Sequence, residues 1–374
     1  MLLLSFVEGG FSPSAWPPAI AFFLTAAALA AIVHRRLEVT RAQALCMAAM
    51  AGLAAWAGLS GQWSPVPDAA WPEAQRTLVY VAAIGAAAVV AGSLLKGALA
   101  GIALVCTYAL GQRLLQGPDS VDGSLLQEPL GYANSLGALA AIGLALSAVI
   151  LRKASGRRLL GWALFGLFVA TLFLTASRGG WLAASVGAAL ALALASGRVT
   201  LARGVAAAAG VLLAVALALP AGGLADDLAE HGGDRPWYWH VAWQEVADAP
   251  LIGRGAGTFE LSWLGQQPID RSVVDAHSLY LETLAELGVV GLVLLALALA
   301  PPLVVALRHG RAPAAAGGYV AFLFHAGIDW DWEMPAVTVA GLLCGSAILV
   351  AAHGARRPDG PGFHPSERRN TPVS

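Results

Sequence analysis

Residues 159–198 read LLGWALFGLFVATLFLTASRGGWLAASVGAALALALASGR, two apolar runs broken only by Ser177-Arg178-Gly179-Gly180. A helix needs roughly 17 to 25 mostly apolar residues to cross about 30 Å of hydrocarbon, and each run meets that length. The stretch therefore predicts two membrane spans joined with almost no loop. Working outward, spans of the same kind fall near 17–33, 42–59, 77–95, 97–115, 135–151, 202–221, 287–307, 313–328 and 335–353. The whole chain of 374 residues is 58% hydrophobic and 12% charged. A soluble domain of this size carries about 25% charged residues, so that class is excluded.

The expected fold is thus all-α: a polytopic integral membrane protein of about 11 transmembrane helices over residues 1–353. Charge supports the alternation of sides. Arg35, Arg36, Arg41, Lys96, Arg152, Lys153, Arg157, Arg158, Arg198, Arg203, Arg308 and Arg311 fall on one side, with the basic tail. The other side receives Arg76, Arg113, Arg178, Arg235, Arg254 and Arg271. Basic residues accumulate in cytoplasmic loops, which makes the first side cytoplasmic. Residues 354–374 then form a basic, Pro- and Gly-rich cytoplasmic tail expected to be disordered. Met1 to Val7 is apolar but too short to span, and it lacks the marks of a signal peptide. If the native start lies upstream, this segment is the stump of a twelfth span. Cys46, Cys106 and Cys344 all lie within spans and read as packing residues, with no metal-site spacing among them.

Chemistry, on this layout, gathers on the outer face, and chiefly on a long loop at about 222–286 that contains short helices. Asp234 and Pro236 make a helix start. Trp239, Trp243 and Val246 follow at helical spacing, which predicts an amphipathic helix lying on the membrane surface. Pro250 ends it, and Gly253-Arg254-Gly255-Ala256-Gly257 makes a turn whose backbone N–H groups suit an anion. All but Trp56 and Trp162 of the 12 tryptophans lie on or near the outer face. An aromatic belt populates both interfaces, so the bias points to stacking on sugars or contact with lipid headgroups as well.

Arg178 sits at the outer boundary of the hydrocarbon, where an arginine is either a snorkelling anchor or a functional group. A lipid pyrophosphate lies at that depth, and guanidinium pairs bidentately with phosphate oxygens. Arg235 and Arg254 are further candidates for the same anion. His277, at the head of the last part of the loop, is suited to take a proton from a hydroxyl; His231, His240 and His325 compete with it. Asp329-Trp330-Asp331-Trp332-Glu333 reads as a solvated turn, although its carboxylates also permit a divalent cation or a catalytic base.

Taken in order, these stretches resemble the O-antigen ligase and O-antigen polymerase superfamily of bacterial envelope glycosyltransferases. The pieces are LSGQWS at 59–64, GYANSLGALA at 131–140, TASRGGWLAASVG at 175–187, RPWYWHVAWQEVADAPLIGRGAGTF at 235–259, AHSLYLETLAELGVVGL at 276–292 and DWDWEMPA at 329–336. The resemblance implies an inverting, metal-independent enzyme without a cofactor. It moves a glycan from undecaprenyl pyrophosphate to an acceptor hydroxyl on a glycan, lipid or protein. The place is the outer face of the cytoplasmic membrane. It implies catalytic roles for Arg178, Arg235 and His277, with Ser278 as the less common variant after the histidine. Arg254, Tyr132, Asn134 and Trp239 are the expected substrate-binding residues. Shared motifs leave open whether the enzyme ligates a finished glycan or polymerises repeat units. A lipid-linked glycan flippase is the reading from another class; the absence of an inverted repeat speaks against it.

Overall fold

A computed structural model describes residues 1–34, 39–89, 93–116, 125–152 and 155–354. The polar tail 355–374, with the basic residues 35, 36 and 153, lies outside the described residues. The chain is helical throughout, with no strand among the described residues. In order the helices are α1 (Leu2–Ser5), α2 (Trp16–His34), α3 (Arg41–Ser60), α4 (Pro67–Val89), α5 (Leu94–Gln116), α6 (Ala133–Ala148), α7 (Ser155–Thr175) and α8 (Arg178–Ala195). Then come α9 (Val199–Ala218), α10 (Ala225–Gly232), α11 (Arg235–Asp248), α12 (Phe259–Gln266), α13 (Leu279–His309), α14 (Pro313–Ala326) and α15 (Pro335–Gly354).

Nine described helices are long and apolar enough to cross a membrane. This is a multi-pass membrane protein, but two of the eleven expected spans are not among the nine. In α4 the first three turns carry Asp68, Glu73 and Arg76. α14 has 14 residues, about 21 Å of helix, which is shorter than the hydrocarbon. It sits inside the bundle instead, packed on α6, α8, α13 and α15. Tyr280 Oη donates to Leu323 O at 2.8 Å and Tyr319 Oη to Leu299 O at 2.6 Å, so both halves of α13 bond to α14.

α6 is the central helix, with nearly every residue from Ala133 to Ala148 buried. Against it and α14 lies α8, and the closest approach is backbone to backbone. A Cβ on Gly187 would stand 2.6 Å from Gly317 O. Small residues at such crossings let helices meet without a hydrophobic driving force, which lipid does not supply.

The segment between α9 and α13 forms a cap with its own apolar core. α11 buries Trp239, Val241 and Ala242 in a cluster with Phe259, Trp263, Leu281 and Ala285. It is therefore wedged between α12 and the head of α13, not laid flat on a surface as the tryptophan spacing suggests. Trp243 Nε1 donates to Leu217 O at 2.7 Å and ties the helix to the end of α9.

α13 is broken at Gly288, whose φ of +67° is left-handed. The N–H groups freed there find carbonyls on the 249–257 loop: Val289 N–H donates to Pro250 O at 2.9 Å and Val290 N–H to Leu251 O at 3.3 Å. In return Gly255 N–H donates to Glu286 O at 2.8 Å, and Gly257 and Phe259 N–H bond the Glu286 carboxylate at 2.9 and 3.0 Å. The glycine turn does gather N–H groups around an acceptor, but that acceptor is the buried Glu286 side chain of the same chain.

Candidate active site

The site forms where the turn after α14 meets the heads of α6, α11 and α13. Because α14 is short, that turn stops within the protein, and the expectation of a solvated turn is overturned. Asp329, Asp331 and Glu333 are 2%, 1% and 3% exposed. A buried carboxylate needs a charge or hydrogen-bond partner, and each has one. Asp329 pairs with Arg235 Nη2 at 2.5 Å, Asp331 with His325 Nδ1 at 2.7 Å, and Glu333 with Arg76 Nη2 at 3.0 Å. Arg76 also pairs with Glu73, and Tyr80 Oη donates to Trp332 O.

Asp329 is the hub. Its Oδ1 accepts from Tyr132 Oη at 3.0 Å and from Trp330 N–H at 3.0 Å, and Asn134 Nδ2 donates to the tyrosine oxygen at 2.8 Å. Burial by itself raises the Asp329 carboxyl, but Arg235, with His325 and His277, holds it below the usual carboxylate range. Arg235 starts α11 and sends Nε to Ile328 O at 2.7 Å, which leaves Nη1 without a protein partner among the described residues.

His277 comes from the head of α13. Ser278 caps that helix, its Oγ accepting from Leu281 N–H, and His277 just before it has a φ of +55°. This left-handed turn sets the ring 5.0 Å from Tyr238 and 6.1 Å from Trp330. Nδ1 lies 2.9 Å from Asp275 O, which only accepts, so Nδ1 carries the proton and Nε2 the lone pair. Burial lowers the pKa of His277, only partly opposed by the Asp329 charge, so the ring is neutral at neutral pH.

Arg178 is the first residue of α8, exposed and with its side chain unpaired among the described residues. A Cβ on its neighbour Gly179 would stand 3.2 Å from Ile328 Cδ1. Gly179, the residue after Arg178, and Arg235 therefore flank the same residue, Ile328.

The structure thus brings Arg235, His277, Tyr132 and Asn134 to one place, with Arg178 beside it. Arg254 is not brought there. It lies beyond the far end of α11, whose 14 residues span about 20 Å, and pairs with Asp248 at 3.1 Å and Glu245 at 4.0 Å. Trp239 is in the core of the cap, one turn from Arg235. Asp329, Trp330, Tyr238 and Arg76 were not named as site residues from sequence. The alternation of Trp with acid at 329–333 was the available signal, since indoles and carboxylates side by side suit a buried turn.

Asp329 and Asp331 are taken by Arg235 and His325, which leaves no cation site between them. Asp275, Glu282 and Glu333 do hold carboxylate oxygens within 4.8 Å of one another. Arg76 already occupies Glu333, and burial pushes Asp275 up to about 7.

Residues 162–296 match the family model described as O-Antigen ligase. The matched segment contains Arg178, Arg235, Trp239, Arg254 and His277, and excludes Tyr132 and the 329–333 turn. No curated protein matches the chain.

Proposed function

From a chain whose residues 162–296 support membership of the O-antigen ligase superfamily, we propose a membrane glycosyltransferase. It moves a glycan from undecaprenyl pyrophosphate to an acceptor hydroxyl. The observation that carries this reading is the meeting of His277 and Arg235 on the Asp329–Trp330 turn, with unpaired Arg178 next to Gly179, which packs on Ile328. Arg152, Arg198 and Arg308 end helices whose other ends face the site, so the basic side of the bundle is the opposite one. By the positive-inside rule the site faces outward from the cytoplasmic membrane, at the depth of a lipid pyrophosphate.

The reaction is an inverting displacement. The acceptor oxygen forms a bond to the anomeric carbon as that carbon's bond to the phosphate oxygen breaks. The hydroxyl proton passes to Nε2 of His277, and the electron pair leaves with undecaprenyl pyrophosphate. Arg178 and Arg235 Nη1 stabilise the charge that builds on the leaving group, each charge-assisted contact contributing about 1.5–3 kcal/mol. Asp329 holds Arg235 in place, and Tyr132 and Asn134 hold Asp329. Trp330 offers a face for a sugar ring.

Two expectations follow from the residues. His277 works as a base only when neutral, and its pKa is lowered, so the rate is lost as pH falls through a value below the ordinary histidine midpoint of about 6.5. A pH profile of kcat/KM is expected to stay flat through that value and fall only at lower pH. Arginines supply the positive charge, so transfer is expected to persist in chelator. Purified protein, lipid-linked oligosaccharide and an acceptor in chelator test this by release of undecaprenyl pyrophosphate. Loss of release that magnesium restores contradicts it. On a gel a ligase gives one discrete shift of the acceptor, and a ladder assigns the protein to polymerisation.

A further inference from the structure

A second histidine stands at the same end of the bundle, and the mechanism above does not use it. His325 lies in the last turn of α14, fully buried. Its Nδ1 is 2.7 Å from Asp331 Oδ2, and the Asp331 backbone carbonyl accepts from Thr338 Oγ1 at 2.7 Å, so the turn that orients the ring is itself fixed. Nε2 is buried and has no partner. A buried nitrogen without a partner is costly, and such groups mark a missing ligand or water.

Nε2 points at the first turn of α8. A Cβ on Gly179 would stand 3.3 Å from it, so the ring edge packs directly on the helix backbone there, with no side chain between. α8 is 18 residues long, and at its head Ser177 Oγ accepts Gly180 N–H at 3.0 Å and Ser177 O accepts Trp181 N–H at 3.2 Å. The N–H groups of Arg178 and Gly179 remain as the free donors of that terminus, which carries the positive end of the helix dipole. Ile328, beside Gly179, is held through its carbonyl by Arg235.

We propose that His325, oriented by Asp331, is a further phosphate-binding residue. With the head of α8, Arg178 and Arg235 it makes a cradle for a pyrophosphate. Nδ1–H stays on Asp331, and an Nε2–H, its proton taken from water, meets a phosphate oxygen seated at Gly179, where no side chain stands between the ring and the free N–H groups of α8. The charged groups that act on the ring are Asp331 and Asp329 of the turn and Arg235 of α11. Two nearby carboxylates favour the protonated ring that an anion requires. The naming of the anion as the pyrophosphate of a lipid-linked glycan rests on the transferase reading; the cradle itself calls only for phosphate oxygens.

The test is binding of inorganic pyrophosphate and of undecaprenyl pyrophosphate to the full-length protein in detergent. Wild type is compared with His325→Gln and Gly179→Ala. Gly179→Ala leaves the dyad intact and suits a helix, so it keeps the fold if His325→Gln does not. Both variants are expected to weaken binding tenfold or more, Gly179→Ala at a thermal midpoint close to wild type and His325→Gln at a lowered one, since it takes the partner from buried Asp331. Weakening for the lipid alone assigns the cradle to a lipid headgroup, and weakening for both probes assigns it to pyrophosphate in either form. Wild-type affinity for both probes in Gly179→Ala overturns the proposal, as does wild-type protein that binds neither. Protein that binds in this His325-dependent way yet moves no glycan keeps the cradle and loses the transferase.

Discussion

Arg235→Ala is expected to lower kcat about 10²- to 10³-fold, the usual effect of deleting one donor that stabilises developing charge. It also leaves Asp329, 2% exposed, without its cation, and breaking a buried pair in this way costs about 3 kcal/mol. The two effects separate in a second variant. Arg235→Ala combined with Asp329→Asn removes the stranded charge, so the thermal midpoint returns toward wild type while transfer stays lost. Recovery of transfer along with stability assigns Arg235 a purely structural role. Arg235→Lys is expected to recover little, because one ammonium cannot reach Ile328 O, Asp329 and a phosphate together as the guanidinium fork does.

Gly253→Ala is expected to have the largest effect on stability. Gly253 has a φ of +71°, and a Cβ there would stand 2.1 Å from Glu286 O. That carbonyl accepts Gly255 N–H in the joint between the 249–257 loop and the break in α13, so it has no freedom to yield. Backbone strain and a clash with fixed backbone together place the cost above about 4 kcal/mol, a large share of the roughly 5–15 kcal/mol that keeps a domain folded. Gly265→Ala, in exposed helix with nothing near its Cβ, is the control and is expected to be neutral or slightly stabilising. Thermal unfolding in detergent reads both. Equal midpoints for the two variants contradict the docking of the loop on α13.

The same joint shows how far the residues alone could be read. The membrane helices were legible because apolar run length is a one-dimensional signal. It is weakest at α14, whose 14 residues are short for a span, and at α4, whose first turns carry charges. Arg178, Arg235, His277, Tyr132 and Asn134 could be singled out by depth, residue type and the family motifs, and four of them converge on the Asp329–Trp330 turn. The burial of that turn was not legible. Its partners come from far along the chain, Arg235 being 94 residues from Asp329 and Arg76 257 residues from Glu333. Arg254 misled for the same reason: a glycine turn with an arginine suits an outside anion. Nothing local says that Glu286 and Asp248 already satisfy it.

The proposed transfer centres on His277, a neutral imidazole working with two arginines. The most direct measurement is release of undecaprenyl pyrophosphate from a lipid-linked oligosaccharide by wild-type protein and by His277→Ala, in detergent with chelator and a competent acceptor. Release by wild type, reduced about 10²- to 10⁴-fold in the variant at an unchanged thermal midpoint, is the predicted result. Equal release by both proteins, or none by folded wild type, contradicts it.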